Sequence, residues 1–435
     1  MATARSIVFE LLVKTEEKGA YSNIVLDTAL EKNALSPRDK GFATALFYGV
    51  LERKMTLDYI IRAYSKTEFD KIQTGAVQLL RMGLYQLLYM ESVPDNAAVN
   101  ETVNLAPQKQ KGFINAILRS FIRDGKKIDY GTLEGEAKLS VEYSCPKWLV
   151  KMWCRRFGEE KTVRILKSTF GRPPLFVKVN TLKCDAEQLI AEFKKDGITA
   201  RRNKLIPDCV EVDKIGGIEA CRAYRAGLFH VQDISSQLCC KIVKPVMGET
   251  VLDMCAAPGG KSFSLAEAME NKGQLHSFDL YDGKISMLRD GAKRLGINII
   301  TAEVNDASVY NENMPMADRV LCDVVCSGIG VIRRKPEIKY KPKALLADIP
   351  PIQKQILQTA SRYVKVGGTL VYSTCTLNYD ENEAVVEEFL KNNKNFAPVA
   401  VPIDIEKEGA QYCRNFFPDV TGGDGFFVAT LRRME

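Results

Sequence analysis

From Gly248 to the end of the chain the sequence repeats one rhythm: a short apolar run, a tight turn, then an amphipathic stretch. The apolar runs are "TVLDMC", "QLHSFD", "IITAEV", "ADRVLCD", "GGTLVYS" and "GFFVATLRR". Between them lie "SFSLAEAM", "ISMLRDGAKRLG", "PIQKQILQTASRYV" and "NEAVVEEFLKN". Parallel strands need long crossovers, and a helix is the usual one, so this alternation predicts a mostly parallel sheet wrapped on both faces. Ligands of such sheets sit outside the carboxyl ends of the strands. Chemistry is therefore to be sought where each apolar run stops.

The rest of the chain reads differently. Residues 1 to about 125 are helical throughout, with apolar positions three and four apart, as at Ile7, Val8, Leu11 and Leu12. Ser36 is placed to cap a helix that begins at Pro37. Gly/Pro breaks divide this part into a bundle of six or seven helices. Arg123 to Pro146 is a polar linker candidate, and two short helices with basic faces follow it. Then strand-like "LFVKVN" precedes helical "DAEQLIAEFKKDG", and strand-like "CVEV" precedes "GLFHVQD", which together make a small α/β unit. The expected fold is multidomain: an all-α bundle over 1–140, a small α/β unit over 141–235, and a Rossmann-like α/β domain over 236–435. A length of 435 residues suits two or three domains.

Composition limits the function. The apolar share of 46% and charged share of 26% are those of a soluble globular protein. A net charge of +7 is compatible with an acidic partner. No apolar run approaches membrane-span length, and the amphipathic "MATARSIVFELLVKTEEKG" does not read as a signal peptide. The twelve cysteines contain no CxxC pair and none precedes Cys145, which is not the pattern of a secreted disulfide framework. With only His230 and His276 as imidazoles, neither a metal site nor histidine acid–base catalysis is expected. The expected location is the reducing cytoplasm.

The stretch "VLDMCAAPGGKSFSLAE" is a strand, a turn of small residues and a helix. A P-loop would need glycine six positions before Lys261, where Cys255 stands; GxGxxG fails as well. Ala256, Ala257, Gly259 and Gly260 still let backbone approach a ligand closely. A nucleoside without the phosphate pattern fits. Asp253, Asp279, Asp306 and Asp323 fall at the ends of four successive strands. Asp279 is placed to accept from ribose hydroxyls and Asp306 from an adenine amino group.

Two cysteines, Cys326 and Cys375, also follow strand ends. Carbon 5 of a pyrimidine is a poor nucleophile, and a thiolate that adds to carbon 6 makes carbon 5 enamine-like. Beside a nucleoside-bearing methyl donor, one thiol could activate the ring, the other could assist its release, and Asp323 could hold the ring's amino edge. Cys145, Cys154, Cys184, Cys209, Cys221, Cys239, Cys240, Cys322 and Cys413 read as small buried hydrophobes.

These residues carry a resemblance. "LDMCAAPGGK", "DVVCSGIG", "RRKPEIKY", "YSTCT…ENE", "VQDISSQL" and "GGDGFFVATL" resemble the motifs of S-adenosylmethionine-dependent RNA cytosine-5 methyltransferases of the Nop2/Sun class. "RDKGFATALFYGVLERK" and "AAVNETVNLAPQKQKGFINAILRSF" resemble the NusB-like domain fused to the Fmu/Sun-type bacterial branch. That branch methylates 16S ribosomal RNA at cytosine 967 in the usual ribosomal numbering. The resemblance implies Cys375 as nucleophile, Cys326 as the thiol of product release, and Asp323 facing the base. It also implies a donor wrapped by Met254, Cys255, Ala256, Ala257, Pro258, Gly259, Gly260 and Lys261. Asp279 would bind ribose, and Asp306 would lie by adenine. One departure stands out: the family's Asp-Ala-Pro-Cys reads Asp323-Val324-Val325-Cys326, which removes a fixed φ before the thiol.

Ile332 to Lys343 carries six basic residues against one acid, so Arg333, Arg334, Lys335, Lys339 and Lys341 are candidates for phosphate contact. Lys178, Lys183, Arg201, Arg202 and Lys204 would extend a positive track. The expected partner is 16S ribosomal RNA, naked or in a precursor particle, bound by a monomer. Two other readings stay open at this level: a DNA cytosine methyltransferase, whose nucleophile would be Cys326, and a non-catalytic RNA-binding or assembly protein.

Overall fold

The structure is a computed structural model that describes residues 3–18, 22–213, 215–403, 405 and 411–435. Its contacts define two units: residues 1–171 with 332–341, and residues 172–331 with 342–435.

The first unit is helical. Six helices, Ala4–Lys18, Ser22–Lys32, Pro37–Tyr64, Thr74–Tyr89, Asp95–Asn104 and Gln108–Arg123, match the expected bundle. Ser36 caps the third as anticipated, its hydroxyl accepting from the Asp39 N–H at 3.1 Å with Pro37 in the first turn. Leu46, Phe47, Val50, Leu57, Leu79, Leu80, Ile114, Leu118 and Phe121 form the centre of one apolar core. Gly49 lets two helices close up, since a Cβ there would lie 1.9 Å from the Tyr85 ring. The buried Arg81 guanidinium is matched by Asp58 at 2.6 and 2.8 Å and by Glu16 at 3.2 Å. Three more helices, Gly135–Glu142, Lys147–Phe157 and Glu159–Ser168, belong to this unit. The division falls at Gly171, later than the boundary at 140 read from the sequence.

The segment Ile332–Lys341 returns to the same unit, and this corrects the reading of Lys339 as a phosphate contact. Lys339 is 1% exposed and donates to the Glu52 carbonyl at 2.8 Å, while Tyr340 donates to the Leu51 carbonyl at 2.8 Å. Burial lowers the Lys339 ammonium to about 8. A short 3-10 helix over Pro336–Tyr340 turns this lysine inward, which a count of basic residues does not show. Lys335 and Lys341 are exposed, and Arg333 and Arg334 are partly so.

The second unit holds two sheets. Strands β1 (Leu175–Val179), β2 (Ala200–Arg202), β3 (Cys209–Val212) and β4 (Phe229–Val231) form an antiparallel sheet in the order β2-β3-β1-β4. The helix Ala186–Lys195 begins at a capping box between Asp185 and Gln188. Lys178, expected on a positive track, is instead buried and bonds Glu267 at 2.8 Å. The alternation of the strand turns it inward. Lys183 is tied to the carbonyls of Ala226 and Arg294, and Arg201 and Arg202 pair with Glu211 and Glu187.

The large sheet contains β5 (Thr250–Asp253), β6 (Gln274–Asp279), β7 (Ile300–Val304), β8 (Ala317–Asp323), β9 (Val364–Thr374), β10 (Phe396–Pro398), β11 (Cys413–Phe416) and β12 (Phe426–Arg433). Its order is β10-β12-β9-β8-β5-β6-β7, with β11 also paired to β12. Strands β5 to β9 pair in parallel; β10, β11 and β12 join antiparallel. The six strands read from the sequence are all present. The two additional ones, β10 and β11, are short, and β10 ends on a proline, so neither gives a periodic signal.

Consecutive residues of the central strands enter different cores. Val251, Leu321 and Val371 join one with Leu265, Leu288 and Leu295; Leu252, Val320, Cys322 and Tyr372 join the other with Leu357, Val385 and Val386. This double burial is why those strands read as continuous apolar runs. Successive strands leave β5 on opposite sides, toward β6 and toward β8, and open a crevice at their carboxyl ends.

Gly49→Ala should destabilise the protein by about 1–3 kcal/mol through overpacking against Tyr85. Urea unfolding followed by far-UV circular dichroism measures it.

Candidate active site

The crevice is built from strand ends. Asp253 ends β5, Asp279 ends β6, Asp323 ends β8, and Asp306 follows β7 by two residues. The expected row of four carboxylates therefore lies along one edge of four neighbouring strands.

Each acid has its own surroundings. Asp253 is fully buried; its Oδ2 accepts from the Ser262 hydroxyl at 2.7 Å, and its Oδ1 has no hydrogen-bond partner among the described residues. Burial pushes this carboxyl up to about 7, with the nearby Asp323 charge adding to the effect. Asp279 accepts from the Tyr281 N–H at 3.3 Å and pairs with Lys284 at 3.4 Å. Asp306 is exposed and holds its loop in an Asx turn, accepting from the Ser308 N–H at 2.9 Å and hydroxyl at 2.7 Å. It lines a cleft of about 540 Å³ with Val309 and Tyr310.

The turn after β5 runs from Met254 to Gly260. The Ala256 N–H donates to the Phe278 carbonyl of β6 at 2.7 Å, so the turn bends across the neighbouring strand. Gly259 has φ +108°, and a Cβ there would meet Phe263 at 2.5 Å. Only glycine suits that position. Lys261 is the second residue of the following helix, Gly260–Ala268, and reaches Asp323 at 2.6 Å. Burial alone would lower its ammonium, but Asp323 with Cys239 and Cys240 outweighs burial and holds it above the ordinary lysine value. The other Asp323 oxygen accepts from the Ser373 hydroxyl at 2.8 Å. Sequence reading gave Lys261 to the donor turn alone; the structure also ties it to Asp323.

The two thiols meet. Cys326 Sγ and Cys375 Sγ lie 3.2 Å apart, well beyond the bond length of about 2.05 Å in a disulfide. The pairing of β8 with β9 sets Asp323 opposite Ser373, and each strand then releases its cysteine within three residues. The Gly330 N–H donates to the Cys375 carbonyl at 3.0 Å, and the Gly330 carbonyl accepts from the Gly425 N–H at 2.9 Å. A Cβ on Gly330 would stand 1.9 Å from the Gly425 oxygen, so these backbones approach to a distance only glycine permits. "VQDISSQL" and "GGDGFF" come together as well: Asp233 accepts from the Asp424 N–H at 3.1 Å, and Ser235 donates to the Asp424 carbonyl at 2.7 Å.

Among the other cysteines, Cys145, Cys209, Cys221, Cys239, Cys240, Cys322 and Cys413 are buried, and Cys154 and Cys184 are half-buried. Sequence reasoning assigned no role to Ser373, Gln353, Glu381, Gly330 or Gly425. "YSTCT…ENE" and "GGDGFF" contained Ser373, Glu381 and Gly425, and "DVVCSGIG" contained Gly330, without showing which atoms they would face.

Comparison with known proteins supplies the family. Residues 240–432 match the family described as 16S rRNA methyltransferase RsmB/F, residues 2–123 the NusB family, and residues 145–219 the RsmF/B-like ferredoxin-like domain. The chain is 38% identical to the probable ribosomal RNA small subunit methyltransferase B of Bacillus subtilis, over 99% of both chains. The chain belongs to the ribosomal RNA small subunit methyltransferase B family. Ribosomal RNA small subunit methyltransferase B of Photorhabdus laumondii is 30% identical over 99% of this chain and 98% of that one. Among solved structures, PH0851 is similar with TM-score 0.81 at 24% identity, covering 99% of this chain and 98% of that one. NSun6 from Pyrococcus horikoshii with SFG has TM-score 0.61 at 23% identity, covering 67% of this chain and 98% of the other. These two likenesses show the fold.

The family's methyl donor is S-adenosylmethionine. The site fits it: a turn that admits close backbone approach, the buried unpartnered Asp253 Oδ1, and acids at the ends of β5 and β6. Among the described residues no helix is long and apolar enough to cross a membrane.

Asp323→Ala would leave the Lys261 ammonium in a nearly closed site without its carboxylate. It should lower stability by about 3 kcal/mol, measured by urea titration, and methyl transfer should fall at least tenfold.

Proposed function

We propose that this chain methylates carbon 5 of a cytosine in 16S ribosomal RNA, position 967 in the usual ribosomal numbering, through a covalent Cys375–cytosine adduct. The observation that carries this reading is the 3.2 Å thiol pair at the strand edge that also holds the Lys261–Asp323–Ser373 chain. A thiol at carbon 6, a second thiol beside it and a carboxylate for the base edge are the three groups that cytosine-5 chemistry needs.

Cys375 adds as the thiolate to carbon 6, and the electrons of the 5,6 double bond become available at carbon 5. S-adenosylmethionine supplies an electrophilic methyl group when bound. Asp323 holds the amino edge of the ring, and the adjacent Lys261 offsets negative charge that builds up during addition. After transfer, carbon 5 gives up its proton to a base, the carbon 6–sulfur bond breaks, and its electron pair returns to Cys375. Cys326 assists that release. Asp279 receives ribose hydroxyls, and Asp306 lies by adenine. The base must leave its stack to reach the thiols. Lys335 and Lys341, together with Arg333 and Arg334, contact phosphates, and the working form is a cytoplasmic monomer.

Bisulfite mapping of ribosomal RNA from cells with and without the gene tests the position; an unchanged methylation map rejects it. Cys375→Ala should form no adduct and transfer no methyl group. Cys326→Ala should accumulate protein-linked RNA on a denaturing gel, and the reverse pattern would make Cys326 the nucleophile. Lys335→Ala with Lys341→Ala should lower the slope of log affinity against log salt by up to about 2.

A further inference from the structure

Glu381 is a fully buried acid with no basic side chain among its hydrogen-bond partners. Oε2 accepts from the Ser327 N–H at 2.7 Å and from the Gln353 amide at 3.2 Å; Oε1 accepts from the Asn378 amide at 2.9 Å. Each of these three partners is a donor. A buried carboxylate without a cation is costly, and its location is informative for that reason. Its strongest contact is the backbone N–H immediately after Cys326.

The same cluster holds the loop that lacks the family's proline. Gln353 donates to the Val325 carbonyl at 2.9 Å as well as to Glu381. The Ser327 and Thr376 hydroxyls lie 2.8 Å apart, and Thr376 directly follows Cys375. Tyr372 donates to the Glu381 carbonyl at 2.6 Å, and Asn382 joins Thr374 at 2.6 Å to the Thr376 carbonyl at 2.9 Å. The Val324 N–H donates to the Ser373 carbonyl at 3.1 Å. Position 325 is thereby held at its own carbonyl and flanked by the bonded N–H groups of Val324 and Ser327, where a proline would have fixed φ from within.

We propose that Glu381 is a positioning residue for Cys326: its carboxylate clamps the Val324–Ser327 loop and sets a buried acid on the Cys326 side of the thiol pair. This rests on the two-thiol reading above and adds to it the element that makes the pair unequal. The titratable groups acting on Cys326 are Cys375 and Glu381; Tyr372 adjoins Cys326 and Glu381 and also Cys322 and Asp323 of β8, and Asp323 is bonded to Lys261. The contact with Cys375 first, then burial, then the Glu381 charge all push the Cys326 thiol well above the ordinary cysteine value. Lys261 is engaged by Asp323 and Cys326 has no cation of its own among its hydrogen-bond and charge partners.

The test uses the full-length protein and reads the two thiols separately. Iodoacetamide labelling across pH, resolved by peptide mass spectrometry, should show Cys375 labelled at lower pH than Cys326. Glu381→Gln should shift the Cys326 profile down by about one pH unit, a tenfold rise in thiolate fraction, whereas Glu381→Asp should keep the wild-type order. Labelling of Cys326 first in the wild type, or an unmoved Cys326 profile in Glu381→Gln, overturns the inference. A purely structural role would alter melting without a selective shift at Cys326. With 16S RNA transcript and S-adenosylmethionine, Glu381→Gln should lose about tenfold in kcat, hold KM for RNA within about twofold, and accumulate adduct as Cys326→Ala does. If Cys326→Ala accumulates adduct and Glu381→Gln does not, the role of Glu381 fails. If Cys326→Ala itself accumulates none, the two-thiol reading fails, and the labelling profiles still judge Glu381.

Discussion

The site depends on one register. Strand β8 pairs with β9 so that Asp323 faces Ser373, and this places two loops, each bearing a cysteine, side by side at one sheet edge. A slip of one residue would send Asp323 to the other face and separate the thiols. Burial on both faces prevents such a slip, because Leu321 and Cys322 enter different cores, as do Val371 and Tyr372. The apolar packing that stabilises the sheet is therefore also what brings two cysteines 49 positions apart in the chain to a 3.2 Å sulfur–sulfur contact.

Beyond the strand ends, close backbone approach replaces side-chain packing. Gly330 lies between Cys375 and Gly425 and bonds to both. The loop after Cys326 is thus tied to β9 and to the start of β12, elements separated by about fifty residues of chain. The Val324-Val325 pair departs from the family's usual sequence, yet Gln353 and Glu381 fix that loop from outside. In this chain hydrogen bonds from neighbouring elements constrain the loop, without a ring in its backbone.

Much of this was legible in the residues. The central strands and the four helices between them follow from period and length, and the acids at strand ends follow from the topology. What was not legible depended on direction. Lys178 and Lys339 read as surface charges because composition does not say which way a side chain turns; a strand's alternation buries one and a short 3-10 helix buries the other. β10 and β11 are too short to show a period. Glu381 lay in a recognised motif, but a carboxylate that accepts three hydrogen bonds inside the protein has the same letter as one in water.

The return of Ile332–Lys341 to the helical unit has a consequence for how the molecule is made. Synthesis runs from the amino end, so the first nine helices leave the ribosome before the strand of chain that supplies Tyr340 and Lys339 exists. The carbonyls of Leu51 and Glu52 wait for partners encoded nearly three hundred codons later. A gene cut at Gly171 would yield a bundle that never receives them, and the complementary piece would carry ten residues shaped for a host it lacks.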